Sequence, residues 1–270
     1  HVESKEISVM DEDWVSSAPR YKPSKKLIIN LPSVEVGSVI KYAVETAVSN
    51  SPAPFYLTYY RDVKVPTDEK VFSIDGKTER LVEPKVVPDE NMQPEARLWR
   101  NVQIFSRATK SDTFAYLRKM AKTDKVFHEP VNKILAKSKQ KQDCSAIRIV
   151  RDWMSENIRV AGPSLYESSY DAHMTDPKTV LNEGYASRMD YMRTMCALLK
   201  GAGEDADIVF SAYDASSVKS SAELDMNKHF NPHAFKYPLC RVKTRKGDVF
   251  IGLENKYTPI GSTSFDGAHF

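Results

Sequence analysis

Most features that announce an activity are scarce in this sequence. No apolar stretch approaches the ~18–20 residues that cross a bilayer as a helix, so no transmembrane segment is expected. Charge is nearly balanced: 39 Lys and Arg against 36 Asp and Glu leave a net +3. That balance gives no general attraction to nucleic acid or to an anionic membrane. Cysteine is rare. Cys144, Cys196 and Cys240 are too few and too scattered for a disulfide framework or a zinc site. Cys196, placed among apolar residues at helical spacing, reads as core packing. His229 and His233 are four apart, but Pro232 lies between them and no carboxylate motif accompanies them, so no metal and no cofactor is expected. Internal repeats and low-complexity tracts are lacking too, and the chain starts at His1 without a methionine. It is read as a mature or trimmed fragment from which a signal peptide has been removed.

What is present divides into two textures. The first hundred or so residues are β-rich. A short apolar run at 27–31 stops at Pro32, and 39–48 is dense in β-branched and aromatic residues. A strand pair is expected within 55–65, with further strands at 82–87 and 102–106. Short strands at close spacing predict an antiparallel sandwich. Beyond Asp112 the pattern turns helical at 114–122 and 127–137. Ile147, Val150, Met154 and Ile158 then mark one face of an amphipathic helix. Residues 161–183, with Gly162, Pro163 and Pro177, read as irregular. A helix over 188–200 buries Met189, Met192, Cys196 and Leu199 and stops at Gly201-Ala202-Gly203. Strands at 207–212, 239–244 and 249–253 follow, the last two joined by a turn at 245–248. The expected organisation is a β-rich domain over 1–110, the C-terminal portion of a larger β-domain, and an α+β domain over 111–270.

Leu31-Pro32-Ser33-Val34-Glu35-Val36-Gly37-Ser38-Val39-Ile40-Lys41-Tyr42 resembles the signature of an uncharacterised β-rich domain that precedes transglutaminase-like domains in many secreted bacterial proteins. The second half resembles that partner. Its landmarks are Trp153 to Arg159, Asp176-Pro177 through Gly184, Asp190 with Ala197-Leu198-Leu199 and Gly203, and Tyr257-Thr258-Pro259-Ile260-Gly261. The resemblance implies a papain-like α+β core with a cysteine at the start of a central helix and a histidine and an aspartate on neighbouring strands. The chemistry suits that arrangement. A helix N-terminus lowers a thiol pKa, an imidazole shuttles its proton, and a carboxylate orients the imidazole.

Carried over residue by residue, the family pattern leaves all three positions altered. Counting from Leu198-Leu199 and Gly203 sets Asp190 at the conserved-pattern aspartate and Arg188 where the cysteine belongs. Aligning the tail without gaps sets Tyr237 at the histidine and Gly252 at the aspartate, and a turn near Lys246 would place these two roughly opposite each other. Ser187-Arg188-Met189-Asp190 has the spacing of a helix cap. Arg188, a cation at a helix N-terminus, is expected to pair with Asp190, Asp176 or Glu183, or else to plug the former cleft or present its guanidinium to an anionic ligand. The resulting expectation is a non-catalytic module of the periplasm or cell surface, with no catalytic residue. Its old cleft, bordered by Tyr185, Ser187, Asp190, His233 and Glu254, would dock a peptide or glycan or be filled by its own side chains. The alternative is a hydrolase or acyltransferase with a rearranged site of Ser187, His233 and Glu254.

Overall fold

The structure is a computed structural model that describes residues 6–40, 56–60, 69–74, 77–82, 102–106, 110–138, 145–165, 170–211, 235, 237–253 and 257–262. It is an α+β chain. The β-rich part contains three antiparallel ladders among the described residues. β1 (Ile7–Asp11) pairs with β2 (Lys25–Ile29), β3 (Tyr56–Tyr60) with β6 (Val102–Ser106), and β4 (Glu69–Ile74) with β5 (Lys77–Val82). β1, β4 and all of β5 but Val82 lie where no strand is expected, and β2 begins two residues before the apolar run that signals it. Residues 39 and 40 lie outside any strand, and 41–48 and 83–87 fall outside the described residues.

The helices run α1 (Lys110–Ala121), α2 (His128–Ser138), α3 (Ala146–Asn157), α4 (Pro177–Glu183) and α5 (Arg188–Gly201). α4 corrects the irregular reading of 161–183. Its signals are plain: Asp176 caps it and accepts from Lys178 N at 2.9 Å, Pro177 occupies the first turn, and Gly184 ends it at φ 72°. A short parallel pair, β7 (Arg159–Val160) with β8 (Tyr185–Ala186), then delivers the chain to α5.

α5 is the central helix. Every residue from Met189 to Leu199 is buried, so it is a core helix rather than an amphipathic surface one. It packs against α2, α3 and α4 and against a sheet of β9 (Asp205–Ser211), β10 (Tyr237–Thr244) and β11 (Gly247–Ile251), with β10 in the middle. Burial of side chains such as Met192, Leu198 and Leu199 stabilises the fold by about 1.5–3 kcal/mol each. Arg193 is buried as well, its Nη1 donating to the carbonyls of Met120 and Lys122 at 3.3 and 2.7 Å. The cysteines are less scattered in space than along the chain. The Sγ atoms of Cys196 on α5 and Cys240 on β10 lie 2.7 Å apart in the core. Among the described residues, no helix is long and apolar enough to cross a membrane.

Candidate functional site

The site is built on the N-terminus of α5. Ser187 is extended at φ −62° and ψ 161° and serves as the N-cap, its Oγ accepting from the Asp190 amide at 3.2 Å. That bond satisfies one of the helix's orphan amides. In a capping box the acidic side chain at Asp190 would reach back to the Ser187 amide. Here a tyrosine intervenes. Ser187 N–H donates to the Tyr21 hydroxyl at 2.5 Å, and that hydroxyl donates to Asp190 Oδ2 at 2.8 Å. Asp190 Oδ1 accepts from the Thr175 amide at 3.0 Å, so both carboxylate oxygens are engaged. Asp190 and Ser187 are both buried. Burial pushes the Asp190 carboxyl above its ordinary range, while its bonds to Thr175 and Tyr21 oppose the rise. Burial, and then the Asp190 charge, also push the Tyr21 phenol up.

Tyr21 arrives from the far end of the sequence. It lies on the segment 12–24 that joins β1 to β2, and it is 3% exposed. Neighbouring Arg20 completes the clamp. Its guanidinium lies 4.8 Å from the Tyr21 ring centroid and 4.5 Å from that of Tyr185, and the two rings meet edge to face at 6.3 Å. Arg20 also pairs with Glu183, donates to the Tyr21 hydroxyl at 3.0 Å and donates to the Tyr185 carbonyl at 3.1 Å. The Tyr185 hydroxyl accepts from the Arg20 amide at 3.0 Å. The Tyr21 ring lies against Gly162, where an added Cβ would stand 2.7 Å from two ring carbons. Nothing in the sequence signals this docking. The contacts link residues more than 160 positions apart, and neither Arg20 nor Tyr21 belongs to a motif.

Arg188 does not pair with any of the three expected carboxylates. Asp190 is held by Tyr21 and Thr175, Asp176 by Lys125, and Glu183 by Arg20. The guanidinium instead sits 5.8 Å from the ring centroid of Tyr237, at the start of β10. Two of the positions at which the resemblance sets nucleophile and base are therefore in contact, as a cation on an aromatic face. The expected opposition of Tyr237 and Gly252 needs correction. β10 and β11 pair Thr244 with Gly247 and Cys240 with Ile251, so the two-residue loop is Arg245-Lys246. Continued in that register, Gly252 falls beside Leu239, two residues along from Tyr237, because the loop is centred between Arg245 and Lys246, whereas pairing Tyr237 with Gly252 needs a loop centred between Thr244 and Arg245. His233 and Glu254 lie outside the described residues. Among the described residues, no group of three or more His, Cys, Asp or Glu side chains is placed to hold a metal ion.

Comparison with known proteins adds two findings. Residues 1–98 match a family described as a domain of unknown function with a solved structure, DUF3857. The chain is similar in fold to a crystal structure from Parabacteroides distasonis described as that of a "putative protease", with a TM-score of 0.55 and 12% identity. The likeness covers 94% of this chain and 54% of that one, so this chain spans about half of that structure's length. At that identity the likeness shows the fold alone. A search of curated proteins gives no match.

Proposed function

We propose that this chain is a non-catalytic, transglutaminase-like binding module of the bacterial cell envelope, taking an anionic peptide or glycan at the rim formed by Arg188 and Tyr237. The contact of Arg188 with Tyr237 carries the reading. Where the resemblance sets a thiol and an imidazole, the chain has a guanidinium over a phenol ring. Neither group is a nucleophile–base pair, whereas together they suit a carboxylate beside an apolar or sugar face. The engagement of Ser187 supports the same reading, since its hydroxyl is committed to the Asp190 amide and is buried. Tyr21 and Arg20 occupy the inner end of the helix start, which leaves the outer rim at exposed Arg188 for a ligand.

The test is calorimetric titration with soluble fragments of bacterial cell wall, which carry both glycan and peptide carboxylates. Binding is expected, weakened about tenfold by Arg188→Ala, as befits the loss of a charge-assisted hydrogen bond of ~1.5 kcal/mol. A fluorophosphonate serine probe and a chromogenic ester substrate are expected to give no labelling and no turnover. Labelling at Ser187 would overturn the reading in favour of the rearranged hydrolase.

A further inference from the structure

Cys196 lies in the middle of the most buried helix, and Cys240 lies on the middle strand of the sheet that packs on it. Cys240 stands between Ile208 of β9 and Ile251 of β11, so its position is fixed by pairing on both sides. Both side chains are wholly buried, and their sulfurs are in direct contact at 2.7 Å with no atom between them. A disulfide needs about 2 Å, so less than about one ångström of closure separates contact from bond. We propose that Cys196 and Cys240 are a disulfide-forming pair that clamps β10 to α5, closed by thiol–disulfide exchange with a small or protein disulfide donor.

The exchange balances in two steps. The thiolate of one cysteine attacks the donor disulfide, forming a mixed disulfide and releasing one donor thiolate, which takes up the proton. The second cysteine's thiolate then attacks the protein sulfur of that mixed disulfide. The protein disulfide forms and the second donor thiol leaves. Two protein thiols are oxidised and one donor disulfide is reduced to two thiols. Burial pushes the Cys240 thiol well up, which starves the packed core of thiolate. Closure therefore belongs to folding, before β10 is sealed against α5. The bond would span a separation of 44 residues, holding the hairpin to the helix whatever the intervening chain does.

The experiment is refolding of the full chain in a glutathione redox couple poised as in an oxidising compartment. Alkylation in denaturant and peptide mapping without reductant follow. Before alkylation, the expected product is about 2 Da lighter than the reduced chain, the mass of the two hydrogens removed. It carries a cross-linked peptide pair containing Cys196 and Cys240, with Cys144 alkylated. Cys144→Ser keeps the cross-link, which makes the result independent of any folding defect in variants of the buried pair. Alkylation of all three cysteines in folded protein would overturn the proposal, as would a bond that consumes Cys144.

Discussion

At Tyr21 one hydroxyl uses its full bonding capacity, donating to Asp190 and accepting from the Ser187 amide and from Arg20. A buried carboxylate without such partners would be costly, and even here burial dominates and raises the Asp190 pKa. The sign of the linkage follows. A carboxyl whose folded pKa is raised binds its proton more tightly in the native state than in the unfolded one, so its ionisation costs stability. The contribution is most favourable below the ordinary aspartate pKa and is lost as pH rises from there through the raised value. Asp190→Asn keeps an acceptor for Thr175 and removes the titration. Melting temperatures of wild type and variant measured from pH 3 to about pH 7 are therefore expected to diverge, with wild type gaining on the variant as pH falls. A difference that is flat with pH would mean that Asp190 does not titrate across the range as a raised carboxyl must. Working with the difference cancels Asp176 and Asp207. Their pairing with Lys125 and Arg241 lowers their pKa values and makes them lose stability in acid.

At the scale of elements, the end of α5 divides two demands between two glycines. Gly201 and Gly203 both read as a helix stop, yet the structure separates them. A Cβ on Gly201 would meet the Phe127 carbonyl oxygen at 2.3 Å, whereas one on Gly203 meets nothing within 4 Å and is disfavoured only by a φ of 90°. Gly201→Ala is expected to lower stability by about 2–3 kcal/mol, since backbone must move. Gly203→Ala should cost about 1 kcal/mol from strain alone. Urea unfolding of the two variants would reveal that order, and equal losses would mean that the loop before α2 yields easily. The comparison shows what the sequence conveys. Periodicity at Met189, Met192, Cys196 and Leu199 located α5 and its core face, and capping chemistry located Ser187. The cap signals of α4 at Asp176, Pro177 and Gly184 are local, but beside Gly162 and Pro163 the same Pro177 also fits an irregular stretch. The close approach at Gly201, the contact of Cys196 with Cys240 and the arrival of Tyr21 are long-range, and no local pattern encodes them. The register of β10 on β11 differs by two residues from one that pairs Tyr237 with Gly252, because the turn type, not the turn's presence, sets it.

At the scale of the molecule, the β-rich N-terminal part and the helical part are joined through the docking of 12–24 on α5. The anchor is a buried polar hub rather than an apolar face. A hub of this kind is intolerant of small displacement, because parting Tyr21 from Ser187 strands the amide and the carboxylate together. Gly162→Ala tests the joint without changing any residue of α5 or any hydrogen-bonding group of the hub. Its Cβ would fall 2.7 Å from the Tyr21 ring, and its φ of 123° disfavours any side chain. Hydrogen exchange is expected to rise over residues 12–24 and at the Ser187 and Asp190 amides, while the buried middle of α5, from Met192 to Leu199, keeps its protection. Protection lost evenly along α5 would instead make the two parts one cooperative unit, with Tyr21 as much a member of the core as Met192.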